Sequence, residues 1–243
     1  MVVSWTSMAS DSELAVLEDD AAGARLGRMG TRVFDTLRQA IVQLKLRPGN
    51  LLSEADIARQ LGVSRQPVRE AFIKLGEIGL VEVKPQRGTF VMLISIRQVQ
   101  NVRFIREAIE VAVVRKAALE ASPAKFAELR RIVEAQRDAE QRGDHVEFLR
   151  LDENFHQAIA HSADCDYAWR TIENLKTQMD RVRYLSMPDA TPIDVLIGQH
   201  AAVVDALGRH SPDDAEAAMR AHLSEILNSL PRIAQANPEL FTD

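Results

Sequence analysis

Three histidines and one aspartate stand where a helical core would place apolar residues. Phe148, Asp152, Phe155 and Ile159 share one helical stripe, with His156 four residues beyond Asp152. Leu196, His200, Val203 and Leu207 form a second stripe, and Met219, His222, Ile226 and Leu230 a third. A carboxylate and three imidazoles thus project from apolar faces, where unpartnered polar groups are costly. A divalent metal would satisfy all four at once, and bundle cores build metal sites from facing helices in this way. Three nitrogens and one carboxylate oxygen suit zinc first, with nickel, manganese or iron also fitting. A metal taking five or six ligands would keep open positions. For any single histidine, a hydrogen-bonded core residue is the better account; the coincidence on three stripes points to a metal. His145, His161 and His210 lie beside breaks or at helix ends and are expected to be exposed. Cys165 is the single cysteine, in a loop-like DCDYA segment with no matched base nearby, and reads as an incidental thiol. It also excludes an internal disulfide framework and any CxxC motif.

These stripes need a scaffold. From Gln98 to Ala236 the sequence is helical in pattern throughout, with breaks at Ser122-Pro123, Gly143-Asp144, Ala163–Asp166, Pro188–Pro192 and Ser211-Pro212. About six helices with short connections are expected, which is an all-α antiparallel bundle. Residues 237–243 read as a C-terminal tail. Residues 1–30, a mixture of Ser, Ala, Gly and acids, read as a flexible N-terminal tail.

Charge separates the bundle from what precedes it. The chain carries −5 overall, but residues 31–94 hold ten Lys/Arg against six Asp/Glu, whereas residues 95–243 hold eighteen against twenty-four. A basic segment joined to an acidic body suits polyanion binding by the smaller part. Within residues 31–94, Val33, Leu37, Ile41 and Leu44 mark a helix stopped by Arg47-Pro48-Gly49. Ser53 can cap a second helix whose face is Ile57, Ala58 and Leu61, and Gly62 can end it. Ser64 can cap a third, with Pro67 in its first turn and Val68, Phe72, Leu75 and Ile78 inward. Leu80–Val83 and Thr89–Met92 read as strands around the turn Lys84–Gly88. Helix, tight turn, helix and hairpin make a winged helix-turn-helix. Arg65, Gln66 and Arg69 sit near the start of its recognition helix, where long polar side chains reach base edges and phosphates. Arg87 and Gly88 would bring a cation and little bulk to a groove. A solvated helix face beside an ordinary hairpin is the plainer alternative.

The segment SEADIARQLGVSRQPVREAFIKLGEIGLVEVKPQRGTFV resembles the DNA-binding domain of GntR-type bacterial transcription regulators, most specifically in SRQPVREA and RGTFV. The resemblance implies operator contacts from Ser64, Arg65, Gln66 and Arg69, with Arg87 and Gly88 at the wing. Many members carry an arginine directly after the glutamate that opens the second helix; Ala55 stands there instead. The bundle, through RFIREAIEVAVVRKAA, DENFH and the His200 and His222 helices, resembles the FCD ligand-binding domain of the FadR subfamily, in its helix count nearer the VanR-type group. That resemblance implies a divalent metal on Asp152, His156, His200 and His222, and a small carboxylate effector beside it. Arg106 is the position it offers as anion partner, with Arg103 and Arg181 (and Arg183) as weaker candidates. An ion pair of Arg106 with Glu110, at i+4, competes with that role on equal terms.

The fold expected is therefore mainly α: a tail over 1–30, a winged helix-turn-helix over 31–94, an all-α metal- and effector-binding domain over 95–236, and a tail over 237–243. The function expected is a homodimeric, ligand-responsive regulator on double-stranded operator DNA, by analogy a repressor. It is expected to be cytoplasmic, with no membrane partner and no catalysis. Rival readings are a regulator for which the metal is itself the signal, a metal-dependent hydrolase, and an acyl-CoA-type regulator without metal.

Overall fold

A computed structural model of the chain describes residues 26–186 and 192–243. Residues 1–25 of the tail expected over 1–30, and the break expected at Pro188–Pro192 up to residue 191, fall outside those residues. Two compact units emerge. Of the described residues, one comprises those up to Ile96 together with Asp180–Leu185 and Asn237–Asp243; the other comprises those in Arg97–Met179 and Ser186–Ala236.

The first unit opens with helix α1 (Leu26–Val42), which begins five residues ahead of the expected start. Helices α2 (Glu54–Gln60) and α3 (Arg65–Glu77) follow. Ser53 caps α2 by accepting from the Asp56 N–H at 3.2 Å. Ser64 occupies the corresponding position of α3, but its hydroxyl makes no capping bond and the residue is exposed. Gly62, with φ of 63°, turns the chain between the two helices. Val33, Leu37, Ile41, Ile57, Val68, Phe72 and Leu75 are buried together, so the apolar stripes read from the sequence meet in one core.

Strands β2 (Val81–Lys84) and β3 (Gly88–Val91) pair antiparallel, Lys84 opposite Gly88. A two-residue strand, β1 (Leu51–Leu52), joins on the other edge of β3, so the hairpin becomes a three-stranded sheet. Gly88 has φ of 109°, a backbone conformation that L side chains rarely adopt, and a Cβ there would stand 2.6 Å from Leu51 Cδ1, so the exposed Leu51 side chain would have to turn aside. The residues after 236 are not a loose tail. A 3₁₀ turn (Pro238–Leu240) leads into strand β5 (Phe241–Thr242), which lies parallel to β4 (Ile94–Ser95), with Leu240 and Phe241 buried. Burial of two apolar side chains explains why this end is held.

The second unit is all helical: α4 (Ile96–Glu120, all but its first residue), α5 (Pro123–Gln141), α6 (His145–Ser162), α7 (Asp166–Leu175), the start and the last residue of α8 (Thr177–Ser186), α9 (Ile193–Gly208) and α10 (Pro212–Ala236). Among the described residues these are seven helices, one more than expected, because α7 and α8 part at Lys176. No proline or glycine marks that break. The first of them, α4, runs from Ile96 directly after β4 without interruption. Phe148, Phe155, Ile159, Val203, Leu207 and Met219 lie in a shared core with residues of α4 and α5.

Candidate metal centre

Helix α6 brings Asp152 and His156 to its buried face one turn apart; α9 supplies His200 and α10 supplies His222. All four are buried, and one ligand atom from each lies within 4.8 Å of the others. The His156 Nε2 is 3.1 Å from the His222 Nε2, which is 3.3 Å from the His200 Nε2. Asp152 faces the same point, its oxygens 3.8 Å from the His156 Nε2 and 3.6 Å from the His200 Nε2. The four residues expected from three separate stripes therefore converge.

The other ring nitrogens decide what this convergence can do. The Nδ1 of His156 is 2.5 Å from the Glu110 Oε2, that of His200 is 2.8 Å from the Gln136 Oε1, and that of His222 is 3.2 Å from the Gln199 Oε1. An acceptor opposite each Nδ1 places the proton there and leaves Nε2 with its lone pair. Three lone pairs and a carboxylate aimed at one spot repel each other unless a cation lies between them. The donor set fits a divalent metal.

The rings are also held sterically. Phe155 stacks on His200 at 4.2 Å between centroids, and Trp169 lies parallel to His156 at 6.2 Å. Burial, then the neighbouring His200 and His156, push the His222 imidazole well below its usual range, with Asp152 opposing. His222 is therefore neutral near neutral pH, which is the form that ligates.

Arg106 is buried on α4 and its Nε donates to the Glu110 Oε1 at 2.5 Å. Burial pushes the Glu110 carboxyl up, but the charges of Arg106 and His156, with the hydrogen bonds both make, outweigh it and hold it down to about 2. Arg106 thus takes the ion-pair geometry that its spacing allowed, within a chain running Arg106–Glu110–His156. Arg103 is half-buried and pairs with Glu107. Arg181 corrects a sequence expectation. It belongs to the first unit rather than to the bundle, is fully buried, and its Nη2 donates to the Met92 carbonyl oxygen at 2.7 Å. Burial lowers its guanidinium to about 10.

The other histidines are less uniform than expected. His161 is exposed beside Asp166, at 3.1 Å, and His145 is half-buried at the start of α6. His210, though exposed as a residue, sets its Nδ1 2.9 Å from the Ala118 carbonyl oxygen and its ring edge-on to Phe126. Cys165 is half-buried just ahead of α7.

In the first unit, Arg65, Gln66 and Arg69 line the exposed face of α3, and Arg87 and Gly88 are exposed at the β2–β3 turn. Two carry an internal partner. Gln66 donates to the Glu70 Oε1 at 3.0 Å, and Arg69 makes a two-pronged contact with Glu54, 3.1 Å on each arm. The glutamate that opens α2 therefore orients Arg69 across the turn.

Sequence reasoning missed Gln136 and Gln199. Gln136 could have been found, since it falls on the stripe Phe126, Leu129 and Val133, all buried. Gln199 adjoins a ligand but is polar at a half-buried position and gave no signal.

The family model "Bacterial regulatory proteins, gntR family" matches residues 30–91, and that of the FCD domain matches residues 101–225. The chain is 44% identical over 212 residues to the HTH-type transcriptional repressor RspR of Escherichia coli (strain K12), a match spanning 87% of this chain and 93% of that one. It is 36% identical over 218 residues to an uncharacterized HTH-type transcriptional regulator in an unstable DNA locus of Streptomyces ambofaciens, spanning 88% and 91%. Among solved structures, E. coli McbR/YncC superposes with a TM-score of 0.71 at 23% identity, over 86% of this chain and 98% of that one, a likeness of fold.

Proposed function

For a chain that belongs to the GntR family of bacterial transcription regulators and carries an FCD domain, we propose a repressor whose helical unit holds a divalent metal and a small organic acid that modulates operator binding. Such regulators are not enzymes, so the hydrolase reading falls away. The sign of regulation is supported by the 44% identical relative, which is named a repressor.

The reading rests on the convergence of three Nε2 atoms and one carboxylate, with an acceptor behind every Nδ1. Asp152, His156, His200 and His222 would hold the metal, zinc first among those that suit this set. When bound, the ion supplies a positive charge and open coordination positions to which an anion can attach. Arg106 is a cation beside that set, joined to it through Glu110. A guanidinium clamps a carboxylate with two parallel bonds, so Arg106 would orient the acid. Arg103, paired with Glu107, is a secondary contact.

Arg65, Gln66 and Arg69 would enter a major groove at the start of α3, with Ser64 toward the backbone and Arg87–Gly88 at the wing. Two copies related by a two-fold axis would read the halves of a palindromic operator. The acid would bias the helical unit between conformations and change operator affinity by no more than its differential free energy for the two.

The test joins metal content to DNA binding. Purified protein should contain or take up one metal per chain, and His200→Ala with His222→Ala should abolish it. An operator is obtained by selection from a random duplex pool. Its affinity should shift when a small carboxylate from a screened panel is added to the metal-loaded protein. Stoichiometric metal in the double variant refutes the site. An operator affinity that moves with metal alone and with no carboxylate favours the ion as the signal.

A further inference from the structure

Each of the three histidines is backed by a residue from an element chosen with little economy. Glu110 comes from α4, Gln136 from α5, and Gln199 from α9, while the rings they hold sit on α6, α9 and α10. Six side chains from five helices are thus locked pairwise. Gln136 is informative because it is wholly buried and its Nε2 has no hydrogen-bond partner among the described residues, although its Oε1 meets the His200 Nδ1 at 2.8 Å. An unsatisfied buried amide N–H is expensive, and a hydrophobic residue of similar length would avoid that cost. What it obtains is one oxygen aimed at one ring. Glu110 is equally costly to bury, yet its Oε2 lies 2.5 Å from the His156 Nδ1 and its Oε1 accepts from the Arg106 Nε.

We infer that Glu110, Gln136 and Gln199 are positioning residues for the metal centre: each fixes its histidine with the proton on Nδ1 and the lone pair inward, and the Glu110 charge, balanced by Arg106, makes His156 the strongest nitrogen donor of the three. The inference rests on the metal reading above and assigns roles to side chains that reading does not use. The three are not equivalent. Two neutral amide oxygens only orient their rings. A carboxylate also draws the Nδ1 proton and raises the basicity of the opposite nitrogen, as partners behind metal-bound histidines do.

The experiment measures zinc affinity of the full chain by competition with a chromophoric chelator. The d–d absorption of the cobalt form serves as a second readout, and melting of the metal-free proteins controls for folding. Gln136→Met and Gln199→Met keep length and remove the acceptor; Glu110→Gln keeps an acceptor and removes the charge. Each should weaken zinc binding about 10- to 100-fold. Gln136→Glu, which restores an acceptor oxygen, should recover affinity and the cobalt spectrum. Gln199→Met, at a half-buried position, carries the test if Gln136→Met does not fold. Wild type and variants binding zinc equally would overturn the inference and leave the metal reading standing. Wild-type protein that takes up no zinc would overturn both. Weakened binding by Gln136→Met with no recovery by Gln136→Glu would reduce Gln136 to a packing residue and also overturn its assigned role.

Discussion

Replacing Arg106 by methionine is the sharpest perturbation of the bundle interior. The guanidinium and the Glu110 carboxylate lie 2.5 Å apart and both are buried. Removing one partner strands the other, and breaking a buried pair in this way costs about 3–5 kcal/mol. At about 2–4 °C per kcal/mol for a chain of this size, the melting point of the helical unit should fall by roughly 10 °C. The measurement is urea and thermal unfolding of metal-free protein at neutral pH. Trp169 fluorescence follows the transition in a Trp5→Phe background, since Trp169 is buried against His156.

The pH dependence gives the same argument a sign. Glu110 titrates near 2 in the fold against an ordinary 4.5, so its ionised form contributes stability that is complete above about 4.5 and lost as pH falls toward 2. Without Arg106, burial is opposed by His156 alone, and the carboxyl titrates higher. It can then take a proton at moderately acidic pH and shed its uncompensated charge. The stability gap between wild type and Arg106→Met should therefore narrow as pH falls from 7 to 4. Adding Glu110→Gln should restore most of the loss at pH 7, because both charges are then gone. A loss below about 1 kcal/mol, a gap that widens in acid, or additive effects in the double variant would each refute the ion-pair reasoning.

Arg65→Ala should weaken operator binding by about 1–3 kcal/mol and relax base preference while the bundle melts unchanged, as read by gel shift and calorimetry. Unaltered affinity would remove Arg65 from the reading face. Ending the chain after Asn237 strips Leu240 and Phe241 from their burial sites and should destabilise the first unit by about 2–4 kcal/mol. A normal melt would show that strand β5 contributes nothing.

What could be read from the sequence follows from how each feature is encoded. Asp152, His200 and His222 were legible because each interrupts a run of apolar residues at helical spacing, and a stripe announces its own face. The winged head was legible because its turns need particular residues: Ser53 caps, Gly62 and Gly88 adopt positive φ, and Pro67 fits a first turn. The break at Lys176 was not legible, since neither proline nor glycine produces it. Strand β5 was not legible either. Its partner, Ile94–Ser95, lies far away in the chain, and a two-residue pairing leaves no period to detect. The placement of Arg181 in the first unit has the same origin: helical pattern shows that α8 is a helix, not which core claims its second half.

The charges inside the bundle favour an anion as the effector on the proposed reading. Arg106 and Glu110 cancel one another, and the His222 imidazole is driven neutral by burial. Asp152 alone balances a divalent ion by half, so a bound metal leaves a net positive charge in a low-dielectric interior. Such a charge is strongly disfavoured unless paired. A carboxylate ligand supplies the pairing and a neutral ligand does not. Metal and acid therefore stabilise one another's binding, and by linkage the acid must raise metal affinity by the factor by which the metal raises acid affinity. Operator binding enters the same cycle only if the two conformations of the helical unit differ in how well they hold the acid. A regulator with coupling in the usual range of about 1–3 kcal/mol would show a 5- to 150-fold change in operator affinity, and no tightening of the acid beyond that difference could enlarge it.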